Sequence, residues 1–224
     1  MPNAGTIGLV KQDRDAAVLV YGIISPHPPI ILPEVGKGDL GKVRQTVAAM
    51  EWAAEQLGKV RPGELIIISP HEEHGFAVPL YYLGKNLPND APVEEILVTE
   101  LSYEYYYEYG QRVGERLRGK DKRSAIIASG DLSHVLKADG PYGFNAAGLV
   151  LDTAIVKAVG ERNAAALLAI DPAVVEDGAE CGLRSILFLL GALDGMEVKT
   201  EVLSYEGPFG VGYMVATFEP EVAV

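Results

Sequence analysis

Apolar runs that break off at a turn residue and then present polar side chains recur three times along this chain. Val18-Leu19-Val20-Tyr21-Gly22-Ile23-Ile24 leads into Ser25-Pro26-His27. Ile66-Ile67-Ile68 leads into Ser69-Pro70-His71-Glu72-Glu73-His74. Ser124-Ala125-Ile126-Ile127-Ala128-Ser129 leads into Gly130-Asp131-Leu132-Ser133-His134. Short apolar runs rich in β-branched residues and bounded by turn signals predict buried strands, here at about 17–24, 64–69 and 124–129. Pro70 has no N–H for a ladder, so the strand stops there. Open α/β sheets place their chemistry just past the carboxyl ends of strands. Two strands that end in the same Ser-Pro-His tripeptide would bring His27 and His71 to one rim of one sheet.

Between these runs the spacing changes. Val43, Val47, Met50, Ala54 and Leu57 recur at three and four, which predicts a helix from a cap at Asp39 to about Val60. The Pro-rich stretch His27 to Pro33 predicts a rigid loop. β segments are predicted near 75–83 and 94–99, on either side of the Asn86–Pro92 turn cluster. A helix follows from Ser102, its cap, to Arg118. Further helices are predicted at 145–160, 163–169 and 181–193, with Asp171-Pro172 separating the last two. Strands at 197–205 and 211–218, joined through Gly207-Pro208-Phe209-Gly210, predict a closing hairpin. Strands that alternate with helices and end in a hairpin predict an α/β fold: a three-layer α/β/α sandwich with a mixed, largely parallel central sheet. Residues 1–15 read as a flexible N-terminal tail and 16–224 as a single domain.

Composition narrows the partners. Of 224 residues 48% are hydrophobic, enough for one substantial core. The formal net charge of −12 makes nucleic acid and anionic membrane surfaces poor partners. One cysteine excludes an intrachain disulfide and suits a reducing compartment. Lys11, Asp13, Arg14 and Asp15 precede the first apolar run with mixed signs, unlike a secretory signal. No stretch approaches the roughly 18 apolar residues of a transmembrane helix. A soluble cytoplasmic protein is expected.

The chain has four histidines, His27, His71, His74 and His134, and all four follow a predicted strand. Structural histidines scattered at random would also fall on helices, so a metal site is the expectation. Imidazole suits Zn, Cu, Fe and Ni alike. Glu180 and Cys181, at the start of a predicted helix, offer a carboxylate and a thiol as a further ligand. A helix N-terminus favours negative charge and lowers a thiol's pKa. Two histidines with Glu180 would suit Fe(II), and two with Cys181 would suit copper or zinc. Asp131 and His134 form the acid–base candidate, the carboxylate holding the imidazole's tautomer. His74 is expected to be an outer donor or substrate contact. The run Tyr103, Tyr105, Tyr106, Tyr107 and Tyr109 reads as a helix packed on one face and meeting another protomer with the other, which predicts a homo-oligomer, a dimer. The Gly207–Gly212 run lacks the Lys and the following helix of a phosphate loop.

Taken together, Ser25-Pro26-His27-Pro28-Pro29, Ile68-Ser69-Pro70-His71, Ser129–His134, Glu180-Cys181-Gly182-Leu183-Arg184-Ser185 and Leu203–Tyr213 resemble the class III extradiol ring-cleavage dioxygenases of the LigB-like catalytic type. They are most similar to the branch related to Memo proteins and the AmmeMemoRadiSam system. The resemblance implies His27 and His71 as ligands of non-haem Fe(II), with Zn or Cu as alternatives, and His134 as the catalytic histidine with Asp131 beside it. It implies a third ligand that is Glu in the dioxygenases and Cys in Memo proteins, which leaves one of Glu180 and Cys181. The function it implies is O2-dependent opening of a catechol-like diol. The alternative is a Memo-like metal-binding regulatory or redox protein without ring cleavage. A zinc hydrolase on a similar site is a third reading of the same donor set.

Overall fold

A computed structural model of the chain describes residues 19–87, 91–118 and 122–221. The expected tail at 1–15 lies outside the described residues. The strands are β1 (Leu19–Ser25), β2 (Glu64–Ser69), β3 (Val93–Leu97), β4 (Ser124–Ser129), β5 (Val198–Glu206) and β6 (Tyr213–Pro220). They form one sheet in the order β3-β2-β4-β1-β6-β5. The first four run parallel, and β6 and β5 add an antiparallel hairpin at one edge.

Side chains alternate across a strand, so each central strand feeds two cores. Ile24, Ile66, Ile68, Ile126 and Ala128 pack on one side. Tyr21, Ile23, Leu65, Ile67, Ala125 and Ile127 pack on the other. Because both faces are covered, these strands are continuously apolar rather than alternating. Each such isoleucine contributes roughly 1.5–3 kcal/mol by leaving water.

The helices are α1 (Pro33–Gly36), α2 (Arg44–Val60), α3 (His74–Leu83), α4 (Tyr103–Arg118), α5 (Ala146–Gly160), α6 (Ala164–Leu168), α7 (Pro172–Gly178) and α8 (Leu183–Ala192). Helices α2 and α3 cover one face, and α4, α5, α6 and α8 cover the other. The result is the expected three-layer sandwich. Among the described residues no helix is long and apolar enough to cross a membrane.

Four expectations change. The Pro-rich stretch His27 to Pro33, expected as a loop, carries a 3-10 turn at Pro29–Ile31. The predicted helix from Asp39 opens as a 3-10 stretch, Lys37–Val43, and Asp39 pairs with Lys42 at 2.7 Å instead of capping. Residues 75–83, expected as β, are helix α3. Its buried positions, Gly75, Phe76, Val78, Pro79, Tyr82 and Leu83, follow helical spacing. Ala77, Leu80 and Tyr81 are apolar as well, so that period does not show in hydrophobicity. Helix α7 is not among the predicted elements. Its cap is Asp171, whose Oδ1 accepts the Ala173 N–H at 2.9 Å.

Loss of this cap should loosen α7. Asp171→Ala is expected to lower stability by about 1 kcal/mol, read as a lower urea midpoint with an unchanged denaturant slope.

Candidate metal centre

The site is built by strand register. Ser25 of β1 pairs with Ser129 of β4, and Ile68 of β2 pairs with Ala128, so Ser69 borders Ser129. Three chains therefore leave the sheet at one rung. His27 follows the first, His71 the second and Asp131 the third. At the end of β2 the Ser69 hydroxyl accepts the His71 N–H at 3.1 Å and donates to the His71 carbonyl at 2.8 Å. Glu73 then takes a left-handed φ of 48°, and α3 begins at His74. This tight turn stacks the His71 and His74 rings at 5.2 Å and 28°. The His27 ring meets both edge-on, at 5.2 and 5.3 Å.

One ring nitrogen from each of His27, His71 and His74 lies within 4.8 Å of the others. Nitrogens bonded to one tetrahedral ion at about 2.1 Å stand about 3.4 Å apart. The three would draw together by up to about 1.4 Å to reach that spacing, and two of the rings sit on an exposed turn that can move. The donor set fits a transition metal. His74, expected as an outer contact, is part of the cluster itself.

His27 is buried and held on every side. Its N–H donates to Asp131 Oδ1 at 3.0 Å, and its Nδ1 lies 3.0 Å from Ser129 Oγ. Its Nε2 lies 3.9 Å from Asp131 Oδ2 and 3.6 Å from Cys181 Sγ. Burial, then the neighbouring imidazoles, push its pKa down from 6.5 to about 3. It is thus neutral, the form that ligates metal. Burial pushes Asp131 up from 3.8 to about 7.

The Asp131 loop is fastened to the Cys181 loop. The Asp131 N–H donates to Cys181 Sγ at 3.3 Å, and the Gly182 N–H donates to the Asp131 carbonyl at 2.9 Å. A Cβ on Gly130 would collide with the Gly182 Cα, so the two backbones touch directly. Burial, then the Asp131 charge, raise the Cys181 thiol well above its ordinary pKa. The expected lowering at a helix start does not hold, because desolvation outweighs it.

Glu180 turns the other way. It accepts the Leu183 N–H at 2.5 Å, the first of α8, and the Tyr103 hydroxyl at 3.1 Å. Of the two candidates for a further ligand, the structure places Cys181 beside His27 and Glu180 away from it.

His134 sits on a loop whose backbone is tied down at several points. Its N–H donates to the Gly178 carbonyl at the end of α7, at 3.1 Å. Leu132 N–H donates to Gly212 O, and Gly212 N–H donates to Ser133 O, both at 2.8 Å. The glycine-rich run thus serves as backbone support for this loop. The His134 ring stacks on Tyr142 at 5.1 Å and 27°. Burial, then the charge of His71, lower its pKa. Asp131 does not serve His134 as expected; its partners are His27 and Cys181.

Sequence reasoning missed Ser129, Tyr142, Asp152 and Tyr205. Asp152 Oδ1 accepts the Ser133 N–H at 2.8 Å, and its Oδ2 accepts the Tyr205 hydroxyl at 2.7 Å. The available signal was a carboxylate within the apolar run Leu149-Val150-Leu151-Asp152. The α4 tyrosines do not line the site. Tyr106 is buried and holds Thr99 through its hydroxyl, while Tyr103, Tyr107 and Tyr109 pack on the core.

Comparison with known proteins adds three findings. The sequence model of the catalytic LigB subunit of aromatic ring-opening dioxygenase matches residues 72–216. That span includes His74, Asp131, His134 and Cys181, while His27 and His71 lie ahead of it and reach the site through β1 and β2. Protein CA_C1420 of Clostridium acetobutylicum is 30% identical over 87% of this chain and 56% of its own length. The chain therefore spans little more than half of that relative. The crystal structure of uncharacterized protein JW3007 from Escherichia coli K12 matches with a TM-score of 0.54 at 11% identity, over 89% of this chain and 99% of that one. At that identity the likeness is one of fold.

The His27–Asp131 pair predicts a pH effect in the metal-free protein. His27, depressed in the fold, contributes stability that is present above pH 6.5 and lost as pH falls toward 3. Asp131, raised in the fold, contributes stability that is present below 3.8 and lost as pH rises through about 7. Between about pH 4 and 6.5 the pair holds one proton whether folded or unfolded, and the two slopes cancel. Asp131→Asn removes the compensation. The variant is expected to lose stability on acidification faster than the wild type, by up to about 1.4 kcal/mol per pH unit. Urea titrations between about pH 6.5 and 4.5 check this, and parallel curves would refute the compensation.

Proposed function

Because the chain belongs to the family of LigB catalytic subunits of aromatic ring-opening dioxygenases, we propose that it opens the ring of a catechol-like diol with O2 at a metal ion, Fe(II), held by His27, His71 and His74. The observation that carries this reading is the convergence of three imidazoles at the carboxyl ends of parallel strands, with His134 near enough for its charge to act on His27. The bound ion would supply attachment for the diol oxygens and for O2; Zn or Cu would find the same donors.

The chain's own groups divide the remaining work. His27 is neutral and immobile, and anchors the inner side. His71 and His74 lie on an exposed turn, so the outer side is open to a substrate. His134 has its pKa held below the ordinary value and is neutral near pH 7, as a proton acceptor must be. It takes the proton of a diol hydroxyl and later returns it. Tyr142 covers one face of its ring. The bond broken lies beside the hydroxyl pair, and both oxygen atoms enter the product.

A second reading is metal binding without ring opening, as in the Memo-like alternative. It is favoured by one observation: Cys181, and not Glu180, borders His27.

The test is anaerobic loading with Fe(II), then a panel of catechols and O2. The expected result is O2 uptake and a yellow ring-opened product. His134→Ala should lower kcat by about 10²–10⁴-fold, and His27→Ala should abolish metal binding. Glu180→Gln should leave metal affinity unchanged, whereas Cys181→Ser lowers it if the thiol joins the donors. Tight metal binding without turnover on the whole panel would replace the first reading with the second. Turnover with Zn(II) and no need for O2 would replace both with hydrolysis.

A further inference from the structure

We propose that Ser129 is a positioning residue that fixes the His27 tautomer, and that Pro79 is what allows it to do so. Ser129 Oγ, fully buried, touches two groups: His27 Nδ1 at 3.0 Å and the Gly75 carbonyl oxygen at 2.5 Å. A carbonyl oxygen only accepts, and a serine hydroxyl has one proton to give. That proton goes to Gly75. The Ser129 oxygen is then an acceptor toward His27, so Nδ1 carries the hydrogen. His27 Nε2 is left with its lone pair free, and it is Nε2 that lies near Cys181 and Asp131 within the cluster.

The Gly75 carbonyl is available for a reason written in the sequence. In an α-helix the N–H of residue 79 reaches back to the carbonyl of residue 75. Residue 79 is Pro79, inside α3, and it has no N–H. Proline in a helix interior is unfavourable because it leaves that carbonyl without its helical donor. Here the Ser129 hydroxyl takes the donor's place from β4. Gly75 also has to be glycine, since a Cβ there would collide with Ser69 Oγ. The close approach that glycine permits brings the start of α3 against the strand ends. Gly75 directly follows His74, so one hydroxyl ties the His27 ring to the turn that carries His74. It fixes both the donor atom of one imidazole and its spacing from another.

The consequence at the ion rests on the metal reading above, but the tautomer is a property of the metal-free chain and is tested separately. In protein labelled with 15N-histidine and freed of metal, long-range 1H–15N spectra should show His27 as the Nδ1–H form. Ser129→Ala should shift it toward the Nε2–H form or a mixture, and weaken Zn(II) binding about 10–100-fold in chelator competition. Ser129→Thr keeps the hydroxyl and should restore both. Pro79→Ala supplies an N–H that competes for the Gly75 carbonyl, and should weaken Zn(II) binding in the same direction by a smaller factor. An Nε2–H form in the wild type overturns the proposal. So does a Ser129→Ala protein whose His27 spectrum and Zn(II) affinity match the wild type. If the tautomer behaves as stated while the wild type binds no Zn(II), Ser129 keeps its positioning role and the metal reading falls.

Discussion

The site exists because three parallel strands end on the same rung. Ser25, Ser129 and Ser69 lie side by side at the carboxyl edge of β1, β4 and β2. Ser25 and Ser69 are followed by Pro26 and Pro70, which have no N–H for the ladder, while Gly130 gives its N–H to the Ser25 carbonyl at 3.0 Å before the chain leaves the sheet. A one-residue slip in any of these pairings would send alternate side chains to the opposite face of the sheet. Register is held here by cores on both faces, so slippage would expose isoleucines on both sides at once. Hydrophobic packing remote from the cluster thus sets the rim from which His27 and His71 leave, and the Ser69 and Ser129 hydroxyls then hold the turn and the ring.

The three imidazoles are not equivalent, and the difference is physical. His27 is buried, while His71 and His74 stand on an exposed turn. A buried ring cannot exchange tautomers or protonation states freely with water, so its state has to be set by its neighbours. Ser129 and Asp131 are those neighbours. A neutral imidazole beside a carboxyl group whose pKa burial raises avoids leaving an uncompensated charge in a dry place. Exposed rings need no such provision, and the turn at Pro70–Glu73 gives them little beyond backbone hydrogen bonds.

Much of this is legible in the sequence. The Ser-Pro-His echo locates two ligand candidates and the rim they share, and the serine-ended run at β4 locates the third loop. The sandwich follows from the alternation of runs. What is not legible depends on facts outside any local window. Residues 75–83 are apolar at nearly every position, so periodicity cannot separate strand from helix, and Pro79 argues against a helix interior. Helix α7 is short, and its role in holding the His134 backbone is a tertiary fact. Nearness in the chain pairs Asp131 with His134, yet β1 runs beside β4 and its exit brings His27 to the carboxylate first. Pairings made across a sheet edge follow strand order, and strand order is not written in any one motif.

The choice between Glu180 and Cys181 shows how local helix chemistry decides the donor set. The first N–H groups of a helix have no partner within it. At α8 the Glu180 carboxylate fills that need at Leu183 and also accepts from Tyr103. A carboxylate committed to both is held facing α4 and cannot also face His27. The residue next to it stands on the same non-helical link between α7 and α8, and its thiol faces the opposite side, against Asp131 and His27. Had the Leu183 N–H found another acceptor, Glu180 would be free to swing inward. The identity of the atom beside His27 therefore follows from what satisfies the α8 terminus, a constraint of backbone hydrogen bonding rather than of metal affinity.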